Sequence, residues 1–206
     1  MKLVVGLGNP GPRYADTRHN VGVRVLERFA RDHGIALDAR RYASRFGSGW
    51  LANEPRLAVA LLAPETFMNR SGEAVAAAVA ELGHTDIAGD LLVVLDDVDL
   101  PFGRLRLRAA GGAGGHRGLA DVIDRLARSD FARLRFGIGR PPPDQETADH
   151  VLEGFSTAER AVLPERILRA ARAVEAALRL GVAVAMNEFN RDPDAVAAGE
   201  SGDAPA

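Results

Sequence analysis

The sequence predicts a single-domain α/β protein, a three-layer α/β/α sandwich whose central sheet is mixed, mostly parallel, and flanked by helices. Three observations predict it. Strand-like apolar runs alternate with amphipathic helical runs along the 206 residues, the pattern of a sheet covered on both faces. Two of the runs, Leu3-Val4-Val5 and Leu91-Leu92-Val93-Val94-Leu95, are continuously apolar, as doubly covered strands are. Both end in polar clusters, and the carboxyl ends of strands are where open α/β sheets bind ligands.

In chain order, Leu3-Val4-Val5 is read as the first strand, and Gly6-Leu7-Gly8-Asn9-Pro10-Gly11 ends it in a tight turn. Residues 21–30 have helical amphipathic spacing and run into His33-Gly34. Ala39-Arg40-Arg41-Tyr42-Ala43 is basic and is not assigned to a strand. Residues 47–51 and 57–62 alternate as two strands, a hairpin across Asn53-Glu54-Pro55. The stretch 64–72 is irregular and polar, and an alanine-rich helix from 72 to 82 stops at Gly83. The strand 91–95 ends in Asp96-Asp97-Val98-Asp99. Residues 103–108 form a strand with Arg104, Arg106 and Arg108 on one face. The loop Gly111-Gly112-Ala113-Gly114-Gly115-His116 precedes a helix over 118–127. In 134–139 apolar residues alternate with Arg133 and Arg135, and Pro141-Pro142-Pro143 then breaks the chain. A long helix over 157–180 is followed by a short one through Asn187. The folded unit is read as 1–191, and the acidic tail 192–206 is expected to be disordered.

Composition narrows the class. A 47% hydrophobic content over this length supports a full core. The absence of cysteine excludes disulfides and thiol chemistry. Nothing resembles a signal peptide, and no apolar run approaches the roughly 20 residues of a membrane span, so a cytoplasmic protein is expected. The net charge of −2 conceals a tail with Asp192, Asp194, Glu200 and Asp203 and no base; the remainder is net basic. Lys2 is the only lysine, so nearly all positive charge is arginine, which suits bidentate phosphate contacts. A GC-rich coding bias raises arginine counts without function, so position matters more than number.

His19 is the candidate base, because imidazole titrates near neutral pH. A lone histidine after a turn is more often a packed or surface residue; His19 gains weight by sharing a strand-end region with Asn9. A base needs an orienting carboxylate, and Asp96 is the best placed. Asn69, in Thr66-Phe67-Met68-Asn69, is either a helix N-cap or an amide donor to a developing oxyanion. The loop 111–115 is a gate or anion nest, or simply a connection. The arginines at 104, 106, 108, 117, 133 and 135 are a phosphate-binding face or ordinary solvated strand faces. With 8 Phe, 2 Tyr and 1 Trp, stacking of single-stranded bases is not indicated.

Other chemistries fit less well. Gly6-x-Gly8-x-x-Gly11 matches the dinucleotide fingerprint, but no acid-ended second strand follows, and Pro10 removes an N–H that a phosphate cradle would use. Asp96, Asp97 and Asp99 lack the phosphate loop of nucleotide hydrolases, and no His or Cys pairs stand at metal spacing, so neither metal nor cofactor is expected. Ser48 and Ser71 lack the G-x-S-x-G elbow of serine hydrolases.

Four segments together resemble bacterial peptidyl-tRNA hydrolases. They are Val4-Val5-Gly6-Leu7-Gly8-Asn9-Pro10-Gly11; Tyr14 with Thr17-Arg18-His19-Asn20-Val21-Gly22; Thr66-Phe67-Met68-Asn69-Arg70-Ser71-Gly72; and Asp96-Asp97-Val98-Asp99-Leu100-Pro101. Gly114-Gly115-His116-Arg117-Gly118-Leu119 and Arg133-Leu134-Arg135-Phe136-Gly137-Ile138-Gly139 agree in order and spacing. The likeness spans about residues 1–190. It implies hydrolysis of the ester joining a peptide to the tRNA 3′ ribose, without metal, with peptidyl-tRNA as the partner; a monomer is the default expectation. It implies His19 as general base, Asp96 as the carboxylate that orients it, and Asn9 and Asn69 as amides positioning peptide, water or oxyanion. Tyr14, Asn20, Met68, Gly114, His116 and Arg117 fall at substrate-binding positions. Arg106, Arg108, Arg133 and Arg135 fall where tRNA phosphates are expected, and residues 110–118 with the next helix resemble a mobile cover. The sequence departs from the family at Arg117, where asparagine is usual.

Three rivals remain: a non-catalytic RNA-binding relative of the same fold, a nucleotide-dependent oxidoreductase using Gly6, Gly8 and Gly11, and a generic hydrolase of small esters. The presence of His19, Asp96, Asn9 and Asn69 together favours the enzyme over the first.

Overall fold

Three successive apolar residues cannot be sorted onto one wet and one dry face, so the strand carrying them must be covered on both sides. The computed structural model, which describes residues 1–52, 56–83 and 86–191, shows how. In β1 (Lys2–Gly6), Leu3 and Val5 enter one hydrophobic core and Val4 the other. The chain continues through α1 (Val21–Asp32), β2 (Ala39–Arg41), β3 (Ser44–Leu51), β4 (Leu57–Pro64), α2 (Ser71–Glu81), α3 (Ile87–Asp90) and β5 (Leu91–Asp97). It closes with β6 (Leu105–Arg108), α4 (Arg117–Leu126), β7 (Ala132–Gly137), α5 (Thr147–Leu152), α6 (Thr157–Leu180) and α7 (Val182–Phe189).

The seven strands form one sheet in the order β2-β3-β4-β1-β5-β7-β6. The inner four, β4-β1-β5-β7, are parallel, and antiparallel pairs close each side. Helices α1, α6 and α7 cover one face and α2 and α4 the other, which completes the α/β/α layering. From β1 the chain crosses over one face to reach β4, then over the other to reach β5. The crossovers diverge at the carboxyl end of β1, where a crevice opens.

Helix α1 starts unusually close to the sheet. A Cβ on Gly6 would lie 2.6 Å from the Gly22 carbonyl oxygen, and one on Gly22 would strike the Val94 and Leu7 carbonyl oxygens. Two glycines thus let α1 begin against β1 and β5, and the turn just before it, Arg18–Asn20, is pressed over the end of β5.

Several elements differ from expectation. The basic segment 39–41 does form a strand, β2, at the sheet edge, where charged side chains are tolerated and even useful. Its Arg40 and Arg41 pair with Glu65 and Glu81. The alternation expected around Arg133 and Arg135 is absent: all six residues of β7 are buried, because β7 lies inside the sheet between β5 and β6. Helix α5 carries no readable period, since His150 is its only buried residue. The β3–β4 pair is antiparallel as anticipated, but the connection 53–55 and the acidic tail 192–206 lie outside the described residues.

Candidate active site

The carboxyl ends of three adjacent parallel strands meet at the crevice. Beyond β1 lies Asn9, beyond β4 lie Met68 and Asn69, and at the end of β5 lies Asp96. The turn preceding α1 adds His19, and the residue preceding α4 is His116. These groups line a cleft of about 500 Å³. Phe67, Met68, Val98, Val151 and Leu152 give the cleft an apolar wall.

Asp96 is the centre of the polar network. His19 Nδ1 lies 2.8 Å from its Oδ1, and His116 Nε2 lies 3.0 Å from the same oxygen. The Leu119 backbone N–H donates to His116 Nδ1 at 3.1 Å. That bond assigns the tautomer: Nδ1 of His116 supplies a lone pair, so its hydrogen sits on Nε2 and points at Asp96. His19 likewise donates through Nδ1 to an ionised acceptor, which leaves its Nε2 as the basic nitrogen. Nε2 forms no hydrogen bond with the described residues, and the side chain is 12% exposed, facing the cleft. Burial works against ionisation of Asp96, but Coulombic attraction to His116 and His19, with the hydrogen bonds they donate, outweighs it and holds the carboxyl well below the usual carboxylate range.

Asn9 is fixed by three bonds. Its side-chain oxygen accepts from Met68 N–H at 2.8 Å, its own N–H donates to Asn20 Oδ1 at 2.8 Å, and its carbonyl accepts from Asn20 Nδ2 at 2.9 Å. With the oxygen used, the Asn9 NH₂ is the end presented to the cleft. Asn69 is exposed, lines the cleft and makes no hydrogen bond among the described residues. It does not cap α2, whose N-cap position is Arg70.

Other predicted site residues take different places. Asn20 is buried and spends its amide on the Asn9 backbone, so it shapes the site without facing substrate. Tyr14 is half-buried and outside the cleft lining; its carbonyl accepts from Thr17, and its ring lies under the Arg13 guanidinium at 5.7 Å. His116 grips Asp96 and is buried. Arg133 is 1% exposed and donates to the carbonyls of Phe131, Ser129 and Gly111, so its phosphate reading is corrected to an internal brace. Burial, with like charge from Arg135 and Arg108, pushes its guanidinium down to about 10, still charged at neutral pH. Arg135 pairs with Asp97 at 3.1 Å and donates to the Gly112 and Ala113 carbonyls at 3.0 Å while lining the cleft. Together the two arginines strap the glycine loop to β7. Gly114 and Arg117 line the cleft, and Arg117 is exposed with no ion pair among the described residues. Arg106 and Arg108 project from β6 into solvent, likewise without ion pairs.

Two contributors had no readable signal. Arg18, 7% exposed, donates to Gly154 O at 2.6 Å and Glu159 at 3.0 Å, tying the His19 turn to the α5–α6 connection and the first turn of α6. Those partners are more than 130 residues away. The apolar wall from α5 was missed because α5 itself was missed.

The group His19, Asp96 and His116 brings three ligand atoms within 4.8 Å, yet it does not fit a cation. With Nδ1 accepting from Leu119, His116 would have to lose its remaining hydrogen and become imidazolate before Nε2 could ligate.

A His–Asp pair with the amide NH₂ groups of Asn9 and Asn69 left without partners among the described residues, at the strand ends of a three-layer α/β/α sheet, is a layout that can activate water for hydrolysis. Comparison with known proteins defines which kind. The family model described as peptidyl-tRNA hydrolase matches residues 3–197. The peptidyl-tRNA hydrolase of Chloroflexus aggregans is 47% identical over 190 residues, covering 92% of this chain and 99% of its own. That of Synechococcus sp. (strain JA-3-3Ab) is 51% identical over 192 residues, covering 92% and 83%. The crystal structure of the Acinetobacter baumannii peptidyl-tRNA hydrolase superposes with a TM-score of 0.83 at 36% identity, covering 92% of this chain and 94% of that one. The chain belongs to the peptidyl-tRNA hydrolase family. It is an ester hydrolase acting on peptidyl-tRNA.

Proposed function

We propose that His19 activates the water that cleaves the ester. Its Nε2 takes a proton as the water oxygen bonds to the ester carbonyl carbon. The bond from that carbon to the ribose oxygen then breaks, and the proton passes from His19 to the departing 3′-oxygen, leaving a peptide carboxylic acid and free tRNA. Asp96 holds the Nδ1–H tautomer and stabilises the imidazolium while it exists. The NH₂ groups of Asn9 and Asn69 serve the oxyanion, where losing one such donor typically costs about 10²–10³ in rate. The apolar wall formed by Phe67, Val98, Val151 and Leu152 receives the peptide end of the substrate, and the cleft residues Gly114 and Arg117 flank it. Arg106 and Arg108 take tRNA phosphates, and Arg135 joins them only by exchanging its loop carbonyls for phosphate oxygens. Residues 1–191 act as one catalytic unit, monomeric, cytoplasmic and without metal. Among the described residues no helix is long and apolar enough to cross a membrane.

The 2.8 Å contact between His19 Nδ1 and Asp96 Oδ1 inside the cleft carries this reading. The test is peptide release from N-acetyl-aminoacyl-tRNA by wild type and His19→Ala, with chelator present. Release that resists chelation and vanishes in the variant, with tRNA still bound, is expected. Activity retained by His19→Ala removes His19 as base, and loss on chelation overturns the metal-free step.

A further inference from the structure

Asp96 is gripped from two sides, and the proposed reaction uses only one of them. The side chain of Asp96 is 3% exposed, and its Oδ1 accepts from His19 and His116 together. We propose that His116 is a positioning residue for the hydrolysis, holding Asp96 in the orientation that meets His19 Nδ1–H and tying that grip to the start of α4. The inference rests on His19 acting as the base.

Three observations support it. First, His116 is locked as a donor toward Asp96: its Nδ1 accepts from the Leu119 N–H, and a hydrogen there would set one N–H against the other, so the ring hydrogen sits on Nε2. Its ring nitrogens are both engaged, and it cannot exchange roles with His19, although the ring centroids lie only 5.0 Å apart. Second, a carboxylate turns broadly about its terminal torsion, and a buried one with a single donor is both loosely aimed and poorly compensated. The bond from His116 removes that freedom. The nearby Asp97 does not compete, being paired with Arg135 at 3.1 Å, and the remaining cleft cation, Arg117, stands exposed. Third, room for the ring is built in. A Cβ on Gly118 would lie 3.1 Å from His116 Cε1 and would strike the Met68 sulfur, so any side chain there would crowd the ring and push Met68 aside.

The two jobs of His116 are separable by substitution. In His116→Asn the amide oxygen still caps α4, since asparagine is a favoured N-cap, but the NH₂ stops short of Asp96. In His116→Gln the NH₂ reaches Asp96 and the cap is lost. Both are compared with wild type and His19→Ala on N-acetyl-aminoacyl-tRNA, with kcat, KM and the pH profile of kcat/KM, and thermal melts for folding. The expected result is a fall of about 10- to 100-fold in kcat for His116→Asn with KM little changed, the size of one hydrogen bond to a charged group. The acid limb of its profile moves to higher pH, because Asp96 then turns more of its charge on His19. His116→Gln recovers much of the rate despite a lower melting temperature. Wild-type kinetics in His116→Asn, a loss confined to KM, or equal losses in both variants with an unmoved profile would each overturn the inference. Retained activity in His19→Ala would instead remove the reading beneath it.

Discussion

Replacing Asp96 by Asn tests the network at its centre. The substitution keeps shape and one acceptor: Asn Oδ1 can still receive the His19 and His116 hydrogens now 2.8 and 3.0 Å from Asp96 Oδ1. What disappears is the negative charge facing the imidazolium. At a contact this close the charge centres are about 4 Å apart, which with an effective dielectric near 20 is worth about 4 kcal/mol, or about 10³ in rate. If the amide instead turned its NH₂ toward His19, the tautomer would invert and the base would be lost, a change worth about 10⁴ in a comparable triad. The expected fall in kcat is therefore about 10³–10⁴, with KM nearly constant, measured under single-turnover conditions on N-acetyl-aminoacyl-tRNA. A second readout comes from acid unfolding. The carboxyl of Asp96 is held below its ordinary range, so its stabilisation is complete above the unfolded value near 3.9 and is lost as pH falls toward the lower folded value. Wild type should lose stability below about pH 4 more steeply than Asp96→Asn. A kcat within tenfold of wild type, or a loss residing in KM, would refute the assignment of Asp96 to the base.

The remaining predictions concern arginines. Arg106→Ala and Arg108→Ala should each raise KM for full-length substrate, leave a minimal aminoacyl-nucleotide ester unaffected, and reduce the salt slope of tRNA binding by about one; equal effects on both substrates would exclude phosphate contact. Arg133→Ala should act on folding, since three carbonyls lose their donor, at a cost of about 3 kcal/mol or more in urea unfolding. An unchanged midpoint with weakened tRNA binding would restore its phosphate role.

How much was legible follows the reach of each signal. The inner strands, α1 and the long α6 were readable because continuous apolar runs and helical spacing are local properties. The conjunction of Asn9 and His19, which follow β1, with Asp96 at the end of β5 was readable because such sheets place ligands at the carboxyl ends of their strands. Arg133 was misread because alternation with apolar neighbours looks the same for a wet face and for a buried brace; only the backbone carbonyls of residues 111 and 129 distinguish them. The glycine pattern at 6, 8 and 11 spelled a nucleotide fingerprint, yet Gly6 relieves a helix against a strand, and Gly8 makes room for Val23 and Asn20. The role of Arg18 depends on partners over a hundred residues distant, which no local pattern announces.

One small contact governs how this sheet can meet its surroundings. Strand β6 is an outer strand, and its Leu107 offers an outward N–H and C=O. The side-chain amide of Asn190 answers both, its oxygen accepting at 2.6 Å and its NH₂ donating at 3.1 Å. A single residue from the end of α7 thus behaves as one rung of an eighth strand. Any chain seeking to extend the sheet from this side, whether a second copy or a partly unfolded neighbour, must first evict Asn190 and then align with Arg106 and Arg108. At the opposite margin β2 is only three residues long and carries Arg40 and Arg41. The sheet is sealed against self-templating at one border by a plug and at the other by brevity and charge.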